Sequence, residues 1–210
     1  MLEQAQIVTK DGDYERVRYA RFADDLVVLT SSHPCAARWG PKVERRLREE
    51  FRRLDLTVNE EKTRTVNFAA GEPFDFLGYT FRWVDQWGKP GKKMALCRPQ
   101  RKKRTRLLQS LKEKLGRSLH LSVEWVVRHV VNPTVRGWVN YFGWGHAGRD
   151  LQFVRWQVDL KVRWFASRQR PKRRGGRRWT TWSSDEIYGK WSLFSAYRVA
   201  RVASPGGEAT

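Results

Sequence analysis

The stretch Trp87-Gly88-Lys89-Pro90-Gly91-Lys92-Lys93 most constrains the fold, because the spacing of apolar residues changes across it. Before it lie short runs rich in β-branched and aromatic residues, the mark of strands. Beyond it apolar residues recur three and four positions apart, a spacing that gathers side chains on one face only in a helix. The dividing stretch is itself a turn dense in breakers. A sheet alone or a bundle alone accommodates only one of these patterns. The expected fold class is therefore α+β, with domains at 1–90 and 91–202 and a disordered tail at 203–210.

Charge changes at the same place. Residues 1–90 hold 15 basic and 15 acidic side chains, and residues 91–210 hold 27 and 7, so the whole net charge of +20 lies in the second part. Such an excess repels itself unless a polyanion neutralises it, and nucleic acid is the commonest polyanion available. Arg outnumbers Lys there, which favours planar contact with phosphates and stacking on bases. Trp125, Trp138, Trp144, Trp156, Trp164, Trp179, Trp182 and Trp191 all fall in the basic part. Indoles interleaved with guanidinium groups suit unpaired or irregular RNA. Cys35 and Cys97 stand far apart with no Cys-x-x-Cys pair, which argues against a disulfide framework and a structural zinc site. No signal peptide is visible and no segment is apolar enough to span a bilayer, so a cytoplasmic protein is expected.

The first part reads as a hairpin over 14–31, a helix from about Arg38 to Leu54, and short strands at Leu56-Thr57-Val58 and Thr65-Val66-Asn67-Phe68. Phe74 to Trp83 reads as one strand, in which Gly78 marks a bulge or a close approach of another backbone. Met94 to Leu96 forms a returning strand. Helices are expected over 101–117, from the cap Ser122 to about Val131, over about 134–143, and over about 150–168. Asn132-Pro133 is expected to end the second of these. In the last helix Leu151, Val154, Val158, Val162 and Phe165 form one stripe and Trp156, Leu160 and Trp164 another. A helix with two apolar faces is buried on both or offers one to a partner.

Asp24 and Asp25 sit at the hairpin bend, between Val17-Arg18-Tyr19-Ala20 and Leu26-Val27-Val28-Leu29. Adjacent carboxylates repel each other, and a multivalent cation such as Mg2+ relieves that repulsion. Paired metals held by carboxylates drive in-line phosphoryl transfer in polymerases. An Asp-Asp pair at a bend is also ordinary turn chemistry.

Four segments, taken in order, resemble the reverse transcriptase and maturase proteins encoded by group II introns. Phe22-Ala23-Asp24-Asp25 is similar to the palm motif carrying the metal-binding Asp. Leu56-Thr57-Val58-Asn59-Glu60-Glu61-Lys62-Thr63 is similar to the palm segment ending in Lys-Thr. Phe74-Asp75-Phe76-Leu77-Gly78-Tyr79 is similar to the Phe-Leu-Gly motif of the primer grip. Asn132-Pro133 with Arg136-Gly137-Trp138-Val139-Asn140-Tyr141-Phe142 is similar to the signature of the maturase-specific, thumb-like region.

The resemblance implies the end of a reverse-transcriptase palm followed by a basic thumb. It implies Asp24, Asp25 and Lys62 as catalytic residues, with Mg2+ on the two carboxylates. It makes Phe76, Leu77 and Gly78 the primer grip, and it names intron RNA, a DNA primer and a separate N-terminal half as partners. The family's third carboxylate comes from a strand far upstream, and Asp11 and Asp13 are too near the motif to replace it. The chain is therefore expected to be inactive as an RNA-directed DNA polymerase by itself, and to bind intron RNA in a ribonucleoprotein. Alternatives are half of a split polymerase and a non-catalytic RNA-binding module. Candidate RNA contacts are Lys92 and Lys93 in the dividing turn, then Arg101, Lys102, Lys103, Arg104 and Arg106 on the first basic helix. Arg136 and Tyr141 follow in the maturase signature. The densest group is Arg168, Arg170, Lys172, Arg173, Arg174, Arg177 and Arg178, seven charges in eleven residues.

Overall fold

The structure is a computed structural model, and it describes residues 6–8, 14–30, 39–169 and 182–200. The fold is α+β. Strands β1 (Gln6–Val8) and β2 (Tyr14–Arg16) form one antiparallel pair, and β3 (Arg18–Phe22) and β4 (Asp25–Leu29) form a second. Helix α1 (Trp39–Arg53) follows, then a sheet in the order β5 (Phe74–Phe76), β6 (Tyr79–Asp85) and β7 (Lys93–Pro99). Helices α2 (Arg101–Arg117), α3 (Val123–Val126), α4 (Asn132–Phe142) and α5 (Gly148–Gln169) complete the regular elements together with two π-helical turns. The chain divides into two compact units, Met1–Leu77 with Arg82–Lys93, and Gly78–Phe81 with Met94–Thr210.

In the first unit the expected hairpin is split at Val17, with β2 pairing back to β1 and β3 pairing forward to β4. The expected strands at Leu56–Val58 and Thr65–Phe68 do not form. A strand needs a ladder partner, and polar side chains in these segments fold the backbone on itself instead. Asn59 accepts from the N–H of Lys62 through both its carbonyl and its side chain, each at 3.2 Å, and Asn67 Oδ1 accepts from Ala70 N–H at 3.0 Å. The loop is tied to α1 by Arg48, which grips Glu44 at 2.9 Å and also Glu60. That grip holds the Glu60 carboxyl below its ordinary value. Val43 of α1 is buried, whereas Leu54, expected as the last residue of this helix, lies past its end and is exposed.

Phe74 to Trp83 is a hairpin, not one strand. Leu77 (φ 48°) and Gly78 (φ 82°) form its two-residue turn, and both lie at positive φ as the favoured hairpin turns require. The periodicity of the flanks concealed it, because a two-residue turn leaves the alternation in phase on both sides.

In the second unit α2 has the expected bounds and buries Leu107, Leu111 and Leu115. Ser122 caps α3, accepting from Trp125 N–H at 3.3 Å. The helix does not end at Asn132-Pro133, contrary to expectation. It widens into a π-helical turn over Val127–Val131, where Asn132 N–H reaches Val127 O, and continues as α4 with Pro133 in its first turn. A proline has no N–H to leave unpaired at that position, so the helical path runs through it. Helix α5 buries the first stripe, Leu151, Val154, Val158, Val162 and Phe165, against Leu107, Leu111, Val135, Val139, Ile187 and Trp191.

Candidate nucleic-acid interface

In the second unit the sequence signature of α4 separates into a buried side and an open one. Val135, Val139 and Phe142 face the core, with Trp138 half-buried against it. Arg136, Gly137, Asn140 and Tyr141 are exposed, at spacings that place them on one face. Asn132 is buried and acts as a clamp. Its Nδ2 donates to Ser192 O at 2.8 Å, and its Oδ1 accepts from Phe194 N–H at 2.9 Å, fastening the 192–194 segment to the start of α4. Arg136 lies over the Phe194 ring at 5.7 Å.

Gly78 and Tyr79 of the Phe-Leu-Gly segment meet the end of this same helix. A Cβ on Gly78 would stand 3.2 Å from Phe142 Cε1 and 3.4 Å from Lys103 Cε, in addition to the strain of a positive φ. The Tyr79 hydroxyl donates to Tyr141 O at 2.6 Å, and its ring stacks near Tyr141 at 6.3 Å. Burial, as the largest cause, pushes the Tyr79 phenol up to about 12. Two motifs 62 residues apart thus share one contact.

The basic residues of α2 divide in the same way. Arg104, expected to contact RNA, is committed to Asp150: its guanidinium donates to Asp150 Oδ1 at 2.8 Å and stacks over Phe153 at 4.2 Å. Arg98 of β7 holds the other carboxylate oxygen at 2.8 Å. Asp150 is only 2% exposed, so these two cations are its counter-charge. Arg101, Lys102 and Arg106 are exposed along α2, and Lys103 is half-buried. Lys92, Lys93 and Arg168 are exposed as well. Arg170, Lys172, Arg173, Arg174, Arg177 and Arg178 lie outside the described residues.

Pattern reading of the sequence missed Asp150 as the anchor of Arg98 and Arg104, since nothing in the spacing announces a pairing across about fifty residues. It also left Trp125 unplaced. That ring is exposed and stacks on His129 at 4.7 Å.

In the first unit Ala23 and Asp24 link β3 to β4, and Phe22 pairs with Asp25. Ala23 adopts φ 49° and its carbonyl accepts from Arg21 Nε at 3.0 Å. Asp24 and Asp25 are both exposed at this tip, as is the neighbouring Phe22. Lys62 is exposed in the Asn59 turn, with no ion pair to either carboxylate among the described residues. Phe76 and Leu77 are half-buried at the β5 turn. Among the described residues there is no group of three or more His, Cys, Asp or Glu able to hold a metal. Two carboxylates without a third donor do not fit a paired-metal site, and Asp11 and Asp13 lie outside the described residues.

A helical unit with exposed cations over a buried apolar interior defines a class of protein, the basic helical domain. Residues 104–183 match the family model for the group II intron, maturase-specific domain, which supports a group II intron maturase C-terminal region over that span. The match supports a maturase function in intron splicing. No curated protein matches the chain. Among the described residues no helix is long and apolar enough to cross a membrane.

Proposed function

We propose that the chain binds group II intron RNA through its second unit and assists splicing from within a ribonucleoprotein, without polymerising by itself. The observation that carries this reading is the open face of α4, where Arg136, Asn140 and Tyr141 stand exposed within the segment matching the maturase-specific domain. Exposed cations on α2, with Arg101, Lys102 and Arg106 among them, extend the phosphate-binding surface. Helices that present cations and a few exposed rings recognise RNA by tracking phosphates and stacking on looped bases. Binding to intron RNA, followed by filter retention at several salt concentrations, tests it. Affinity should fall steeply between 50 and 200 mM salt, by roughly 10³-fold if about six phosphates are contacted. Salt-independent binding, or no acceleration of intron splicing, contradicts the reading.

The exposed pair Asp24 and Asp25 supports a second reading, half of a split reverse transcriptase whose magnesium ions are completed by a carboxylate from a separate N-terminal partner. Primer extension on an RNA template separates the two. Synthesis by the purified chain alone, abolished by Asp24→Ala, overturns the first reading. Synthesis only after a partner is added supports the second.

A further inference from the structure

Helix α5 carries a second row that its core does not use. Trp156 is 55% exposed and Trp164 is 52% exposed, with the half-buried Leu160 between them. Spacings of four put the three on one face. The exposed Arg149 and Arg168 extend the row at either end, seven residues before Trp156 and four after Trp164. The two indoles stand about 12 Å apart along the axis, at 1.5 Å per residue. Phe153, with Arg104 stacked on it, lies 6.1 Å from Trp156 and widens the aromatic surface.

We infer that the outer face of α5 is a stacking site for unpaired RNA bases, with Trp156 and Trp164 as platforms and the exposed Arg149 and Arg168 at the ends of the row as contacts for the backbone phosphates. The inference rests on the RNA-binding reading above and specifies where single-stranded segments engage. The surroundings favour a polyanion over a protein. The apolar row is narrow and ends in the exposed Arg149 and Arg168, which disfavours a second copy of a chain carrying net charge +20. Indoles accept any base, because every base has a π-face, so recognition here is tolerant of sequence.

Fluorescence anisotropy of the full chain tests this with two probes, a 12-nucleotide oligouridine and a 12-base-pair RNA duplex. The doubly substituted Trp156→Ala, Trp164→Ala chain should bind the single strand about tenfold or more weaker, given the usual worth of base–aromatic stacking. Its duplex affinity should stay within about twofold, since that binding is phosphate tracking. Trp156→Phe with Trp164→Phe, which keeps the rings, should restore most of the loss. Thermal melting of both variants checks that the fold is retained. Equal losses on both probes, or no loss on either, overturn the inference. A parent dimer that the alanine pair converts to a monomer also overturns it, by assigning the face to a second copy. A parent that binds neither probe defeats the broader RNA reading instead, so the two failures are distinguishable.

Discussion

The two units bury their apolar residues to very different extents. In the second, α2, α4 and α5 close over a core that reaches from Leu107 to Tyr197. In the first, only Val17 and Val43 are buried hydrophobics among the described residues, while Phe22, Leu54, Leu56 and Trp87 are exposed. Amphipathic helices of seventeen and twenty-two residues each present several aligned side chains to one another. Strands of three to five residues in separate two-stranded pairs offer little to bury and are marginal in isolation. The contrast teaches that a matched sequence motif does not carry its own stability. The Asp24-Asp25 tip stands on a thin scaffold, and the maturase signature stands on a dense one.

The most damaging test of this contrast is removal of the buried anion in the second unit. Asp150→Ala leaves Arg98 and Arg104 without their counter-charge and should cost about 3–5 kcal/mol in a urea melt, as breaking a buried pair does. A loss below 1 kcal/mol would mean that water already screens the pair. Close behind it, Leu111→Ala should destabilise by about 2–5 kcal/mol through the cavity it leaves, whereas Leu54→Ala, at an exposed site in the first unit, should change little. Similar costs at both positions would erase the distinction between the units. Gly78→Ala should cost about 1–3 kcal/mol, because a Cβ at φ 82° meets the Phe142 ring as well as its own backbone. An unchanged melt would show that Phe142 yields.

The smallest effect concerns pH. The Tyr79 phenol is raised from 10 to about 12 in the folded unit, so its proton is held more tightly folded than unfolded. Its contribution is fully present below pH 10 and is lost as pH rises from about 10 to about 12. Alkaline melts of the parent should steepen over that window, and Tyr79→Phe should flatten this part of the fall. An identical slope in the two proteins would remove Tyr79 from the account.

Much of the second unit was legible in the chain itself. The stripe Leu151, Val154, Val158, Val162 and Phe165 is buried as its spacing implied, and α2 ends where its pattern ends. Long helices repeat their signal over several turns, and their hydrogen bonds are internal. The strands at Leu56–Val58 and Thr65–Phe68 failed for the opposite reason: a strand exists only if another segment pairs with it, and local propensity cannot supply the partner. The turn at Leu77-Gly78 was hidden because it preserves the alternation on either side. Pro133 was read as a stop because local chemistry cannot foresee a π-helical turn that carries the helix past it.

The candidate site divides along the same line. Sequence marked the basic part, the carboxylate pair and the maturase signature, since charge and residue type are properties of the chain. It could not distinguish a cation aimed at solvent from one spent inside, and Arg104 became the partner of Asp150. Nor could it tell that Gly78 is packed beside Phe142, or that of the two apolar rows on α5 one is core and the other open. Composition and period follow from covalent order, and so the chain alone determined its longest helices, its charge and the match of residues 104–183 to the maturase-specific domain. Which guanidinium is neutralised and which indole is exposed depends on segments tens of residues apart being packed together, and only the tertiary structure decides that.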